Sequence, residues 1–160
     1  MAVKLSLSCT QNSQSVANNT SNVTVKATAS WTWGSWNEYK KPGYVIIDGT
    51  KYSFTSNFNP NATTTGSQVI FTKTVDVKHN ADGSKTLAYS GSYTTGVSSG
   101  TITASGSKVL TTIPRQANLT AAPNFNDEGN PAITYSNPAG TAATSLQACI
   151  ASVDGQTISA

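Results

Sequence analysis

The only histidine of the chain, His79, lies between two carboxylates, Asp76 and Asp82. A histidine beside carboxylates can activate a serine nucleophile or bind a metal ion. Strand alternation puts Asp76 and His79 on opposite faces, however, and no acidic loop with the spacing of a calcium site surrounds them. The pattern instead predicts a turn that His79 and Asn80 stabilise by hydrogen bonds, with no metal bound.

Glycoside cleavage needs two carboxyl groups held at a fixed separation. The first 113 residues contain four acids, namely Glu38, Asp48, Asp76 and Asp82. Asp48 and Asp82 each precede a glycine in a predicted turn, and Glu38 has no neighbouring partner. The sequence also has no phosphate-binding glycine loop and no Cys-x-x-Cys pair. We therefore predict a protein that is not an enzyme, with no catalytic residues and no cofactor.

All three tryptophans lie in SWTWGSWNEY, residues 30–39, and aromatic rings suggest a different chemistry. Sugars stack on such rings while amide and carboxyl groups bind their hydroxyls. Gly34 should interrupt the strand and place the next residues in a loop, where recognition residues are common. The predicted glycan-binding residues are Trp36, Asn37, Glu38 and Tyr39. Alternatively, this loop caps one end of the fold or contacts a neighbouring subunit.

The elements that must position these residues are strands, because apolar and polar residues alternate along most of the chain. In 23–33 the odd positions are apolar or small, which predicts that Trp31 and Trp33 belong to the core. In 68–79 the predicted apolar face consists of Val69, Phe71, Val75 and Val77. Asp48-Gly49 predicts a hairpin turn, and Ala81-Asp82-Gly83-Ser84 predicts another.

Seven or so strands without helical periodicity predict an all-β fold, an antiparallel β-sandwich of immunoglobulin-like or jelly-roll type. Pro114 breaks the strand pattern. We predict a β-sandwich domain over 1–113, a linker over 114–120, and the beginning of a second β-rich module over 121–160, for which an immunoglobulin-like fold is one alternative. That module is too poor in apolar pattern to fold alone, so we expect it to be truncated.

The composition and the N-terminal sequence argue against nucleic acid as a partner, against a membrane location and against a disulfide. The formal net charge is +3, but the lysines are scattered and Arg115 is the single arginine, which argues against a nucleic-acid partner. The N-terminus has no signal-peptide core and no segment could span a bilayer, so neither export nor membrane insertion is expected. Two buried free thiols at Cys9 and Cys149 are favoured over a disulfide. The polar serine and threonine faces of the strands are assigned no function.

Several motifs occur in a familiar order: NNTSNVTVKATASWTWGSWN from Asn18, VIIDGTKYSF (45–54), VKHNADGSKTL (77–87), VLTTIPR (109–115), and DEGNPAITYSNPAG followed by SLQACI (127–150). Together they resemble a family of minor structural proteins of siphophages and related prophages of Gram-positive bacteria, catalogued as a phage family of unknown function. The resemblance implies a virion component of the tail tip or baseplate, made in the bacterial cytoplasm. It implies no catalytic residues.

The partners implied by the resemblance are other tail proteins of the virion and the host cell surface. One hypothesis is that the protein binds wall polysaccharide. Its rival is a purely architectural spacer that contacts only virion proteins, and a third is a surface adhesin module of a bacterium. Phage tail components are commonly symmetric multimers, so a homotrimer is a further expectation by analogy.

Overall fold

Alternation of apolar and polar residues produces seven long strands in the first part of the chain. They are β1 (Val3–Ser15), β2 (Thr20–Trp31), β3 (Glu38–Ile47), β4 (Thr50–Phe58), β5 (Gly66–Lys78), β6 (Thr86–Thr94) and β7 (Thr101–Val109). The computed structural model describes residues 2–32, 38–59 and 65–115, and four short strands beyond them. These described residues contain no helix, which confirms the predicted all-β class, and therefore no helix that could cross a membrane.

The seven strands form two antiparallel sheets. One sheet has the order β1-β2-β5 and the other the order β4-β3-β6-β7. The predicted antiparallel sandwich is confirmed. Of the two types left open, this strand order fits the immunoglobulin-like one, because the fourth strand joins the sheet of the third, sixth and seventh. A jelly roll would need eight strands in two Greek keys.

Strand β2 supplies the centre of the core. Its inner face, from Val23 to Trp31, is buried at every second position. Trp31 is 6% exposed, and its ring meets that of Phe58 edge-on at 5.7 Å between centroids. Phe58 in turn contacts Tyr93 edge-on at 6.3 Å. The prediction of a buried Trp31 is therefore confirmed, whereas Trp33 lies outside the described residues.

A β-bulge in β5 overturns part of the predicted inner face. Ala27 of β2 pairs with Phe71, but the next residue, Thr28, pairs with Val69. Ile70 is the extra residue, and it is 7% exposed while Val69 is 53% exposed. The predicted inward position of Val69 is wrong, because one inserted residue exchanges the two faces of the strand beyond it.

Of the two predicted hairpin turns, one is a hairpin in the structure and the other is not. Ile47 pairs with Thr50, so Asp48 and Gly49 form a two-residue loop, and both have positive φ angles (49° and 80°), as in a type I′ turn. That hairpin is confirmed. The segment Ala81–Ser84 is a turn but not a hairpin, because β5 and β6 belong to different sheets. It carries the chain from one layer of the sandwich to the other.

Side chains link the two sheets at the edge where β1 runs beside β7. Lys108 Nζ donates to the backbone oxygen of Cys9 at 3.1 Å. Cys9 is a free thiol, as predicted, but it is half-buried and not fully buried; burial raises its pKa while the Lys108 charge acts in the opposite direction. Cys149 lies outside the described residues.

The chain divides into two compact units, Met1–Arg115 and Gln116–Ala160. In the second unit, the strands β8 (Asn118–Leu119) and β9 (Tyr135–Ser136) pair antiparallel, and so do β10 (Ser152–Val153) and β11 (Gln156–Thr157). The predicted limits of the linker, and the truncation of the second module, stay predictions.

Candidate functional site

The predicted glycan-binding residues fall largely outside the described part of the chain. Trp36 and Asn37 lie outside it, and only the backbone of Glu38 and Tyr39 is described. Their backbone belongs to β3, which begins at Glu38, so the predicted loop is shorter than expected. The pairing of β3 with β4 shifts register between Glu38 and Lys41, around a positive φ of 52° at Lys40. A role of these four residues in glycan binding stays a prediction.

His79 is buried, with 4% of its surface exposed, and both ring nitrogens have partners. Nδ1 lies 2.7 Å from the carbonyl oxygen of Gly83, and Nε2 lies 2.7 Å from the hydroxyl oxygen of Ser21. A carbonyl oxygen can only accept, so Nδ1 carries a proton, and in the neutral ring Nε2 accepts from the Ser21 hydroxyl. The Nε2 lone pair is then not available to a metal ion, and the serine–histidine pair is buried, since Ser21 is 0% exposed.

The hydrogen bonds continue into two other segments. Gln11 Nε2 donates to Ser21 Oγ at 2.9 Å, and Gln11 Oε1 accepts from the backbone N–H of Thr111 at 3.0 Å. We call Gln11, Ser21, His79, Gly83 and Thr111 the His79 network. It joins β1, β2, the β5–β6 turn and the segment after β7. The prediction that His79 stabilises this turn is confirmed, and no metal-binding group of three or more residues occurs among those described.

Gly83 is the residue of this turn that sequence reasoning undervalued. Its φ is +81°, and its carbonyl oxygen accepts from the Ile113 backbone N–H at 2.9 Å as well as from His79. A Cβ atom built on Gly83 would lie 2.0 Å from the backbone oxygen of Ile113. Only glycine allows the turn to approach the segment after β7 so closely.

The acidic side chains with described surroundings also serve the fold. Asp48 pairs with Lys85 at 2.8 Å, and Asp76 accepts from Asn22 Nδ2 at 2.7 Å. Asp82 accepts from the hydroxyl of Ser84 at 2.7 Å and from the backbone N–H of the same residue at 2.9 Å. These bonds lower the pKa of Asp82, the hydroxyl contributing most. Each of these carboxylates is thus engaged within the chain.

The outer face of the β4-β3-β6-β7 sheet carries an open depression of about 360 Å³, lined by Tyr44, Ser90, Gly91, Thr103, Ala104 and Ser105. A second one of about 230 Å³ adjoins it and shares Ser90 and Ser105. The outward residues of β6 and β7 are small, whereas those of β3 include Tyr44 and Ile46, which form a wall. We call Tyr44, Ser90, Thr103 and Ser105 the hydroxyl trough.

The hydroxyl groups of the trough face outward from the sheet. Among the residues that the structure describes, Ser90, Thr103 and Ser105 make no side-chain hydrogen bond to the protein. Their neighbour Tyr44 is half-buried, and Lys51 Nζ lies 4.2 Å from the centre of its ring. The trough thus presents donors and acceptors beside an aromatic ring, an arrangement that can bind a hydroxylated ligand.

Sequence reasoning missed this face because it assigned no function to polar strand faces. A signal was nevertheless present, since the tripeptide Ser-Gly-Ser occurs in both β6 (90–92) and β7 (105–107). The sheet register brings Ser90 opposite Ser105. Small residues facing each other on neighbouring strands leave a groove, and this can be recognised only once the two strands are known to pair.

Comparison with known proteins shows the family to which the chain belongs. No curated protein and no solved structure matches the chain. The model of a protein family described as siphovirus protein of unknown function (DUF859) matches residues 2–131. The match includes all seven strands of the sandwich and most of the chain, and it agrees with the resemblance found in the ordered motifs. The chain therefore belongs to this siphovirus protein family.

Proposed function

We propose that this protein is a non-enzymatic structural component of the siphovirus virion, at the tail tip or baseplate. In this role it contacts the host surface by binding wall glycan in the hydroxyl trough. The proposal rests on the hydroxyls of Ser90, Thr103 and Ser105 beside the ring of Tyr44, which have no hydrogen-bond partner in the described part of the chain. Other tail proteins of the virion and further copies of this chain, as a trimer, are its proposed partners.

The chemistry of the trough suits a sugar. Its hydroxyl groups can each donate one hydrogen bond and accept others, which matches the hydroxyls of a saccharide. Tyr44 adds an aromatic surface against which a sugar can pack. The volume of about 360 Å³ is within the range of small-molecule sites, roughly 300–1,000 Å³. A polymer could extend from it into the adjoining depression of about 230 Å³.

The hydrogen bonds and ion pairs of the titratable residues support a binding role and not a catalytic one. His79 uses both ring nitrogens inside the fold, and Asp48, Asp76 and Asp82 are held by neighbouring side chains. The trough itself is lined by hydroxyl, aromatic and small residues. Such residues bind and orient a ligand, but hydrolysis of a glycosidic bond needs a positioned pair of carboxyl groups.

A filling substitution tests the proposal. Ser105→Gln places a longer side chain in the trough, and Ser8→Gln makes the same change on β1, an exposed position of the other sheet. We expect wild type and Ser8→Gln to sediment with purified cell walls of a Gram-positive host, and Ser105→Gln to bind at least about tenfold more weakly. Circular dichroism should confirm that both variants fold.

Two other results would redirect the proposal. If wild type binds no wall preparation, the architectural spacer is the better function. If Ser105→Gln binds as wild type does, the trough is not the site, and Trp36→Ala then tests the predicted aromatic residues. Retained binding in Trp36→Ala would remove that ring from the site as well.

A further inference from the structure

Positive charge is concentrated in the unit that carries the trough. Residues 1–115 contain ten basic and four acidic residues, a formal net charge of +6, whereas residues 116–160 contain three acids and neither lysine nor arginine. The first unit is therefore far more basic than the value of +3 for the whole chain suggests. A surface of this charge attracts anionic partners.

One of these charges, that of Lys51, contacts a residue that lines the trough. Lys51 pairs with Ile46, Ile46 with Ser90, and Ser90 with Ser105, so that these four residues form one row across the outer face of the sheet. The Lys51 ammonium group lies over the ring of Tyr44, 4.2 Å from its centre. The trough and the ammonium group thus share the Tyr44 ring as a common wall.

The charge of Lys51 is not neutralised within the described residues. Its side chain is exposed, and its one described interaction is with the Tyr44 ring. Strands β4, β6 and β7, which form three of the four strands of this face, contain no aspartate or glutamate. Contact with an aromatic ring orients an ammonium group without removing its charge, so its N–H donors remain available.

We propose that the trough binds an anionic wall polymer, in which phosphate or carboxylate groups alternate with hydroxylated units. The Lys51 ammonium group pairs with the anionic group, while the hydroxyls of Ser90 and Ser105 bind the neighbouring sugar or polyol. This inference rests on the proposed function and specifies its ligand. The Lys51 ammonium group and hydroxyls without a hydrogen-bond partner among the described residues match such a repeat better than they match a neutral glycan.

The test compares three wall preparations with two charge variants of the full chain. The preparations are untreated walls, walls treated with hydrofluoric acid to cleave phosphodiester-linked polymers, and walls whose carboxylates are amidated with a carbodiimide. Lys51→Gln removes the charge at the trough, and Lys26→Gln removes an exposed charge from β2 on the opposite face as a matched control.

We expect Lys51→Gln to bind untreated walls about fivefold more weakly than wild type, and Lys26→Gln to bind as wild type does. Raising the salt concentration should weaken the binding of wild type more than the binding of Lys51→Gln. Salt screens the ionic contact of Lys51, and only wild type makes that contact. Loss of binding after hydrofluoric acid identifies phosphate as the anion, and loss after amidation identifies carboxylate.

Equal binding of wild type to all three preparations, with no effect of Lys51→Gln, would overturn this inference. If Ser105→Gln still loses binding in that case, the glycan proposal stands and the polymer is neutral. If wild type binds no preparation, the proposed function fails and the inference fails with it. The two failures are thus distinguished by the behaviour of wild type alone.

Discussion

The His79 network and the hydroxyl trough use similar polar side chains in opposite ways. In the network, Gln11, Ser21 and His79 bond to one another and to backbone groups, and His79 and Ser21 are buried. In the trough, the hydroxyls of Ser90 and Ser105 make no bond to the described part of the protein. A buried, satisfied network holds the native state together, whereas free surface hydroxyls remain available to a ligand.

The two outer faces of the sandwich repeat this difference. On the β1-β2-β5 face, Asn12 donates to Asn22 at 2.9 Å and to Thr24 at 2.8 Å, and Asn22 donates to Asp76 at 2.7 Å. These side chains bind one another. Residue type alone therefore does not distinguish polar side chains that bond within the sheet from polar side chains that have no partner among the described residues, but the hydrogen bonds do.

The largest effect is expected from Gly83→Ala in the turn of the His79 network. The new Cβ would collide with the backbone oxygen of Ile113 in a conformation with positive φ, so we expect a loss of about 3–5 kcal/mol in the free energy of unfolding. Gly49→Ala is the matched control, since its φ is +80° but nothing lies within 4 Å of the added atom, and it should cost only about 1 kcal/mol. Urea denaturation measures both, and equal losses would contradict the proposed close approach.

His79→Ala should cost somewhat less, about 2–4 kcal/mol, because it leaves a cavity and an unpaired Ser21 hydroxyl. Ser21→Ala removes two bonds of the same network, those with Gln11 and His79, and should cost about 1–2 kcal/mol. Thermal and urea unfolding of the two variants give these values. Wall binding should be unchanged in whatever fraction of each variant is folded. If the free energy of unfolding of His79→Ala is within about 0.5 kcal/mol of the wild-type value, the His79 network does not have the structural role described here.

Smaller effects separate the two outer faces. Asn22→Ala removes bonds to both Asn12 and Asp76, and we expect it to cost about 0.5–1 kcal/mol. Ser90→Ala removes a hydroxyl without a described partner, so the free energy of unfolding should change by less than about 0.5 kcal/mol. Wall binding should be weakened more by Ser90→Ala than by Asn22→Ala. The comparison fails if Ser90→Ala destabilises the protein more than Asn22→Ala does.

The smallest expected effect is on the stability of the protein at acidic pH. Hydrogen bonds from Ser84 lower the pKa of Asp82 in the folded state below its ordinary value of 3.8. The stability that this carboxylate contributes is therefore present above that value, and it is lost as the pH falls through the folded pKa. The difference in melting temperature between wild type and Asp82→Asn should shrink as the pH falls from 5 to 2. A difference that does not depend on pH would rule out this role of the carboxylate.

Local sequence patterns predicted much of the sandwich. The alternation in β2 identified the buried face that ends at Trp31, and Asp48-Gly49 identified the β3–β4 hairpin. The same reasoning failed where a longer-range feature intervenes. The bulge at Ile70 exposes Val69, and the turn beside His79 joins two sheets instead of two paired strands. Alternation describes one strand at a time and contains no information about its partner.

The candidate site was harder to predict than the fold. Aromatic residues drew attention to Trp36 and Tyr39, because rings are the usual sign of sugar binding. Serine, glycine and threonine in β6 and β7 looked like an ordinary solvent-facing surface. Their importance depends on the alignment of Ser90 with Ser105 beside Tyr44, which brings the consecutive strands β6 and β7 next to β3, a strand distant in the sequence.

By itself, the sequence determined the all-β class, the family, the core position of Trp31 and the turn role of His79, because these depend on local periodicity, turn chemistry and ordered motifs. Only the tertiary structure decided which strands pair, which polar side chains of the outer faces hydrogen-bond to one another, and why residue 83 must be glycine. Those outcomes depend on contacts between residues far apart in the chain, such as Gly83 with Ile113 and Ser90 with Ser105.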